Sequence, residues 1–364
     1  MLFSRFSLPL SAVLLLGTSL PLAAEQSGIT ASLDAGVLNI KATETFYNGS
    51  HKNSQLDWKT TNAMALRGSL GLELSPEWRI KTEGRIGFAG DGYMTDYDWL
   101  PPYYRDTSKT GWSDRSQHGD TRLDHYLTGS IELNRTLLED PLQHLSAGIG
   151  FRYTDVQWSA YGGDYIYSWR GFRNNVGEFN NSEKAITYRQ QIPVFYGNVT
   201  GGRKFGNWSL NAGLEGGAMI YAKATDDHWM RSIRFTDKFH VGGMFGAKAG
   251  IAYALTENAS LYLDGAYEYT SFGRGDKTLT PTGGTTGLFY KDSAGGDMQS
   301  LFVGAGVKGR FCVEGFRLRR GKMLLSHAER SCGMPRKSDR SSISSTPHLC
   351  DADRTVATKK DNSG

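Results

Sequence analysis

Along most of this chain, apolar and polar side chains alternate with a period of two. In "LYLDGAYEY", Leu261, Leu263, Tyr267 and Tyr269 share one face, while Tyr262, Asp264 and Glu268 share the other. In "WSLNAGLEGGAMI", Trp208, Leu210, Ala212 and Leu214 oppose Ser209, Asn211 and Glu215. In "WRIKTEGRIGF", Trp78, Ile80, Ile86 and Phe88 oppose Arg79, Lys81, Glu83 and Arg85. Charges at every second position rule against a dry core on that face, because unpaired buried charge is costly. One face suits lipid and the other water. A soluble sandwich would also alternate, but with its polar faces outermost and a dry interior.

The pattern predicts ten strands, at 28–48, 54–74, 78–97, 122–138, 144–160, 185–203, 206–224, 238–255, 258–273 and 298–311. An even count lets an antiparallel sheet close and leaves no edge that lipid cannot satisfy. Connections alternate in length. Short turns follow the even strands: "SPE" (Ser75 to Glu77), "EDPLQ" (Glu139 to Gln143), "KFGN" (Lys204 to Asn207) and "LTENA" (Leu255 to Ala259). Longer stretches follow odd strands, near 98–121, 161–184 and 274–297. Short turns belong on the periplasmic side and long loops outside. The fold class is therefore all-β, a ten-stranded antiparallel transmembrane β-barrel with long extracellular loops. Its strands exceed the roughly 9 to 11 residues that cross lipid, so the barrel should rise above the membrane.

Composition adds the two ends. The chain has 364 residues, a formal charge of +4, 45 Gly, 18 Tyr and three Cys. A mean hydropathy of −0.43 excludes a bundle of membrane helices. "MLFSRFSLPLSAVLLLGTSLPLAA" places Arg5 before a short apolar run and ends on Ala23-Ala24, which reads as a signal peptide over 1–24. The barrel then occupies 25–311. From Cys312 the alternation stops, and 312–364 carries eleven basic residues against six acidic ones, with all three cysteines. This segment reads as a basic, disordered C-terminal extension, or else a tail for anionic surfaces; the cysteines give no disulfide framework.

Candidate chemistry lies at the predicted rim. "TDYDW" (Thr95 to Trp99) ends the third strand and "ATDDHW" (Ala224 to Trp229) ends the seventh, nearly opposite in a ring of ten. Residues two apart share a face, so Asp96 pairs with Asp98, and Asp226 with His228. A neutral His can take a proton from water while a carboxylate stabilises the imidazolium. Two crowded carboxylates tend to share a proton, and such a pair could hold the same water or stabilise a tetrahedral intermediate. Solvated rim acids are the plainer reading, and a Ca²⁺ or Zn²⁺ site is a third, although only His118 offers an obvious second imidazole. No Gly-x-Ser-x-Gly or His-Glu-x-x-His motif occurs. Parity matters here, because strict alternation from Ile80 and Trp208 would turn all four groups toward lipid. A bulge or kink must flip them, with Gly87, Gly90, Gly92, Gly216 and Gly217 as the available places.

These residues carry a resemblance to the omptins, outer-membrane endoproteases of Gram-negative bacteria. It runs from about Gly28 to Phe311 through "SQLDWK" (54–59), "DYDW" (96–99), "WSDRSQHGDT" (112–121), "GGDYIYS" (162–168), "GFRNNVGEF" (171–179) and "DDHW" (226–229). The resemblance implies a ten-stranded barrel with catalytic Asp96, Asp98, Asp226 and His228. It also implies cleavage at or near basic residues, with Glu44 in "ATETFY" at the base of the P1 pocket and Asp114 as a further cleft acid. Ser116 and His118 fall in a family motif and are given positional roles. The family's second P1 acid falls on Ala224, which predicts a weaker basic preference that Ala224→Asp should sharpen. Omptins need lipopolysaccharide as activator. The positions that hold it fall on Phe151, Tyr153, Asp155 and Gln191, two expected arginines are absent, and Arg189 and Lys238 lie near enough to substitute.

The resulting expectation is an outer-membrane endopeptidase facing the cell exterior, acting on polypeptides with basic residues. It would use no metal or other cofactor beyond the lipid activator, bind no nucleic acid and act as a monomer. The rival from another class is a non-catalytic barrel, an adhesin or a pore.

Overall fold

A computed structural model describes residues 27–313. The leader read over 1–24, and the tail beyond residue 313, lie outside the described residues. Thirteen strand segments make the wall: β1 (Ser27–Asn48), β2 (His51–Glu73), β3 (Trp78–Phe88), β4 (Asp91–Asp98), β5 (Asp114–Glu139), β6 (Gln143–Tyr167), β7 (Asn175–Phe205), β8 (Trp208–Ile220), β9 (Lys223–His228), β10 (Ile233–Phe239), β11 (Val241–Ala254), β12 (Ala259–Pro281) and β13 (Leu288–Val313). A 3₁₀ turn, Trp229–Arg231, follows β9.

Every pairing is antiparallel, and β1 closes the ring by pairing with both β2 and β13. Segments β3 and β4 together fill one place between β2 and β5. Likewise β8 and β9 both pair with β7, while β11 and β10 both pair with β12. The wall therefore has ten staves, as the alternation predicts. Closure pairs each stave on both sides, as a lipid environment demands.

The upper limits of the staves differ from the sequence reading. Stretches 98–121, 161–184 and 274–297 were expected as loops, yet β5 starts at Asp114, β6 runs to Tyr167, β7 starts at Asn175, β12 runs to Pro281 and β13 starts at Leu288. Above the membrane both faces of a strand can be polar, as in "DRSQHGD", so the ladder continues where the apolar signal has ended. At the other end, pairing extends past Phe311 to Cys312 and Val313, opposite Gly28 and Ser27.

Outward side chains such as Leu33, Leu70, Ile131, Ile149, Leu214 and Val307 form the exposed apolar band. Inward charges of the same staves are buried and paired rather than bathed in water. Arg67 binds Asp34 at 2.7 Å and Asp264 at 2.5 Å, and Arg152 binds Glu215 at 2.7 Å. Arg85 sits 3.5 Å from Glu83 and 3.7 Å from Glu268. Pairing offsets the desolvation that an isolated charge would suffer there. Higher up the lumen turns apolar, where Trp58 stacks on Tyr188 at 5.5 Å and on Trp158 at 6.0 Å, with Leu38, Ile40 and Met94 buried alongside. This packed interior is the floor beneath the mouth.

Candidate active site

The predicted flips occur, one of them at an unpredicted residue. Ile86 and Phe88 face outward, and the next two residues, Ala89 (φ 59°) and Gly90 (φ 94°), take left-handed backbone. Beyond them Met94 and Asp96 are buried inside. A Cβ on Gly90 would come within 2.8 Å of the Ala63 backbone, so glycine fits here for space as well as for its dihedral. On the other stave, Gly216 and Gly217 lie in unbroken register with both neighbours. The turn-over falls instead at Tyr221, φ 55°, whose N–H donates to the His240 carbonyl at 2.9 Å. Leu210 and Leu214 below it point outward, whereas Ala222, Ala224, Asp226 and His228 above it point inward.

Glu44 needs no such device. Strict alternation along β1 carries it inward from Leu33 and Val37, which face out. At the upper end of the barrel the rows meet in a cavity of about 290 Å³. Its lining includes Asp96, Asp98, Asp226, His228, Glu44 and Asp114, so all six sequence-selected residues share one space above the apolar band.

His228 Nε2 lies 2.7 Å from Asp226 Oδ2. With Nε2 donating to the carboxylate, Nδ1 is the nitrogen left to accept a proton. Burial lowers His228 to about 4, helped by the positive charge of Arg231, so the imidazole is neutral near pH 7. Burial lifts Asp226 to about 8 against the pull of Lys277. Across the cavity, burial and the neighbouring Asp98 push Asp96 well above the usual carboxylate range. Asp98 rises to about 6 by burial, opposed by Arg231 and Ser54. Ser54 Oγ also donates to Asp96 Oδ1 at 3.3 Å. Near pH 7 Asp98 is largely ionised, and burial beside that charge favours the protonated form of Asp96. Asp114 is partly engaged, its Oδ1 accepting the Ser168 N–H at 2.8 Å.

Ser116 and His118 lie outside the cavity lining. His118 Nδ1 donates to the Gly162 carbonyl at 2.5 Å, leaving Nε2 to accept the Ser116 hydroxyl at 3.0 Å. The ring stacks on Phe179 at 5.7 Å and ties together β5, β6 and β7, a positional role. Among the described residues no group of three or more His, Cys, Asp or Glu is placed to hold a metal ion.

Sequence reasoning gave no role to the other nine lining residues, four of which bear on the chemistry. Tyr167 and Arg231 sit beside Asp96 and Asp98, and Arg231 is drawn to both acids and to the Tyr167 hydroxyl. Phe235 and Lys277 line the inner end. The position of Arg231, three residues past His228, is the one local signal that could have drawn attention.

On the outer wall, Arg189 grips Asp155 with Nε at 2.8 Å and with Nη2, while His125 Nε2 lies 3.0 Å from the same carboxylate. Gln191 donates to the Tyr153 hydroxyl at 3.0 Å. Exposed Lys223 and Lys238 are register partners, and Gln191 is the neighbour of Lys223 on β7.

Residues 25–311 match the family model described as the Omptin family. The chain is 30% identical over 292 residues to Protease 7 of Escherichia coli strain K12, covering 78% of this chain and 90% of the relative. It is 28% identical over 289 residues to outer membrane protease OmpP of the same organism, with coverage of 78% and 90%. Among solved structures, outer membrane protease OmpT from Escherichia coli superposes with a TM-score of 0.73 at 27% identity, covering 80% of this chain and 99% of that one. The ten-stave outer-membrane barrel and the match along its whole length lead to one assignment: the chain belongs to the omptin family.

Proposed function

We propose that this outer-membrane barrel is an endopeptidase whose nucleophile is a water held between the Asp226–His228 couple and the Asp96–Asp98 couple. The observation that carries the reading is the convergence of both couples on one cavity from staves on opposite sides of the ring. The water oxygen attacks the peptide carbonyl carbon as His228 Nδ1 takes its proton, with Asp226 stabilising the imidazolium. Asp98, as the ionised partner, orients the water. Asp96, as the protonated one, donates to the carbonyl oxygen as it gains charge. His228 then returns the proton to the leaving nitrogen, the C–N bond breaks, and a carboxylate and an amine depart.

Polypeptides with basic residues near the scissile bond are the substrate class, engaged by Asp98 and Asp114 in the cavity lining. Lipopolysaccharide is proposed as the activator. Lys223 opposite Lys238 is a like-charge pair that an anionic headgroup would relieve, with Arg189 close by on the same wall. A pore finds no support in a lumen filled by ion pairs and stacked aromatics.

The test is a pool of fluorescence-quenched peptides with Arg and Lys flanking a varied centre, given to wild type and to His228→Ala, both refolded in the presence of lipopolysaccharide. Cleavage by wild type alone is expected. Equal turnover by both proteins would reject the couple, and no turnover by either would favour an adhesin.

A further inference from the structure

The cavity that holds Asp226 and His228 is also lined by Glu44. Each of the two carboxyls keeps one buried oxygen, Glu44 Oε2 and Asp226 Oδ1, without a hydrogen-bond partner. The remaining Glu44 oxygen, Oε1, accepts a bond from Lys277 Nζ at 2.8 Å. Lys277 gives a second bond to Asp237 Oδ2 at 2.9 Å. Glu44, Asp237 and Lys277 are each at most 2% exposed. Ala224, Asp237 and Lys277 form one inward cross-strand row over β9, β10 and β12. The chain thus lacks a carboxylate at 224 but carries one beside it at 237, with an ammonium already bound to it.

Two rings frame that ammonium. Nζ lies 5.7 Å from the centre of Phe46 and 5.0 Å from that of Phe235. Phe235 in turn meets the His228 ring edge-on at 5.2 Å. A substrate side chain entering this recess meets two aromatic rings and a cation already bound to Glu44 Oε1 and to Asp237. A second cation would face like-charge repulsion in a buried setting and would have to displace Lys277 from its acids.

We infer that Lys277 is a resident cation that sets selectivity in this recess. The residue flanking the scissile bond whose side chain enters it is uncharged and apolar, and arginine or lysine there is disfavoured. The inference rests on the peptidase reading and narrows its substrate class. Basic residues act at other subsites, whereas the innermost one takes a Leu-like or Phe-like side chain between Phe46 and Phe235.

The experiment is a peptide matrix in which each residue flanking the cut is varied among Leu, Phe, Arg, Lys and Glu. It is cut by wild type, Lys277→Ala and the more nearly isosteric Lys277→Met. Wild type should prefer Leu or Phe to Arg by at least roughly tenfold in kcat/KM at one flanking position. Lys277→Ala, which uncovers Glu44 and Asp237, should reverse that preference at the same position, and added ethylammonium should restore it. Wild-type preference for Arg or Lys at both flanking positions overturns the inference while leaving the peptidase reading intact. So does a Lys277→Ala profile that matches wild type. Should neither variant fold, the wild-type profile alone decides. No cleavage of any peptide by wild type removes the peptidase reading and the inference with it.

Discussion

Replacing Asp226 with Asn tests the catalytic couple with the least disturbance of shape. The amide occupies the same volume beside His228 but cannot balance the imidazolium that forms when the ring takes a proton. In the native site, donor and acceptor are 2.7 Å apart and Asp226 is 2% exposed, so little solvent screens them. Two unit charges about 4 Å apart at an effective dielectric of about 20 attract by about 4 kcal/mol. At about 1.36 kcal/mol per factor of ten, losing that stabilisation in the transition state costs roughly a thousandfold. The loss belongs in kcat, with KM little changed, because the interaction strengthens only as charge develops. The assay is initial-rate kinetics at pH 8.5 on a cleaved quenched peptide, with retention of the folded barrel checked by far-UV circular dichroism. A fall in kcat of less than tenfold in a folded Asp226→Asn protein would refute the assigned role.

Other expectations follow from the same geometry. Catalysis needs Asp226 and Asp98 ionised and His228 neutral. Burial raises the two acids to about 8 and about 6 and lowers His228 to about 4, so kcat/KM should climb with pH between 6 and 8 and then level. A profile that is flat from pH 5 to 9 would contradict this, and Asp226→Asn should lose the upper limb. Tyr221 lies in left-handed backbone at φ 55° and is exposed, so Tyr221→Gly should fold at least as well as wild type. Tyr221→Val, with a branched Cβ, should lose about 1–2 kcal/mol in urea unfolding; equal stability of the two variants would argue against strain at the flip. If the outer lysine pair binds headgroup phosphate, Lys223→Ala combined with Lys238→Ala should raise the lipopolysaccharide concentration needed for half activation. An unchanged requirement would move the activator elsewhere.

The sequence displayed the fold wherever one face of a strand meets lipid, because Leu210, Leu214, Leu261 and Leu263 can be read against their polar neighbours without knowing any partner. It lost the staves above that band. There "DRSQHGD" and "GRGDKTL" alternate nothing apolar, and their strand character depends on the neighbours they pair with. Asp96, Asp98, Asp226 and His228 could be selected because each couple is local, spaced by two on one strand. The kink at Tyr221 could not, since an aromatic residue in left-handed backbone has no compositional mark. Lys277 was hidden for a related reason. It binds Glu44 across 233 positions of chain, and a lone lysine in a presumed loop says nothing of two distant acids.

Asp96 and Asp98 are laddered to β2 and β5, and Asp226 and His228 to β7 and β10, so the backbone on either side braces each group. A cradle of this build does not remould itself around a guest. The conformational cost of docking therefore falls on the incoming polypeptide, which must lay a slack, extended segment between the walls. Unstructured hinges and tails will be severed quickly, and compact domains will survive intact until they fray.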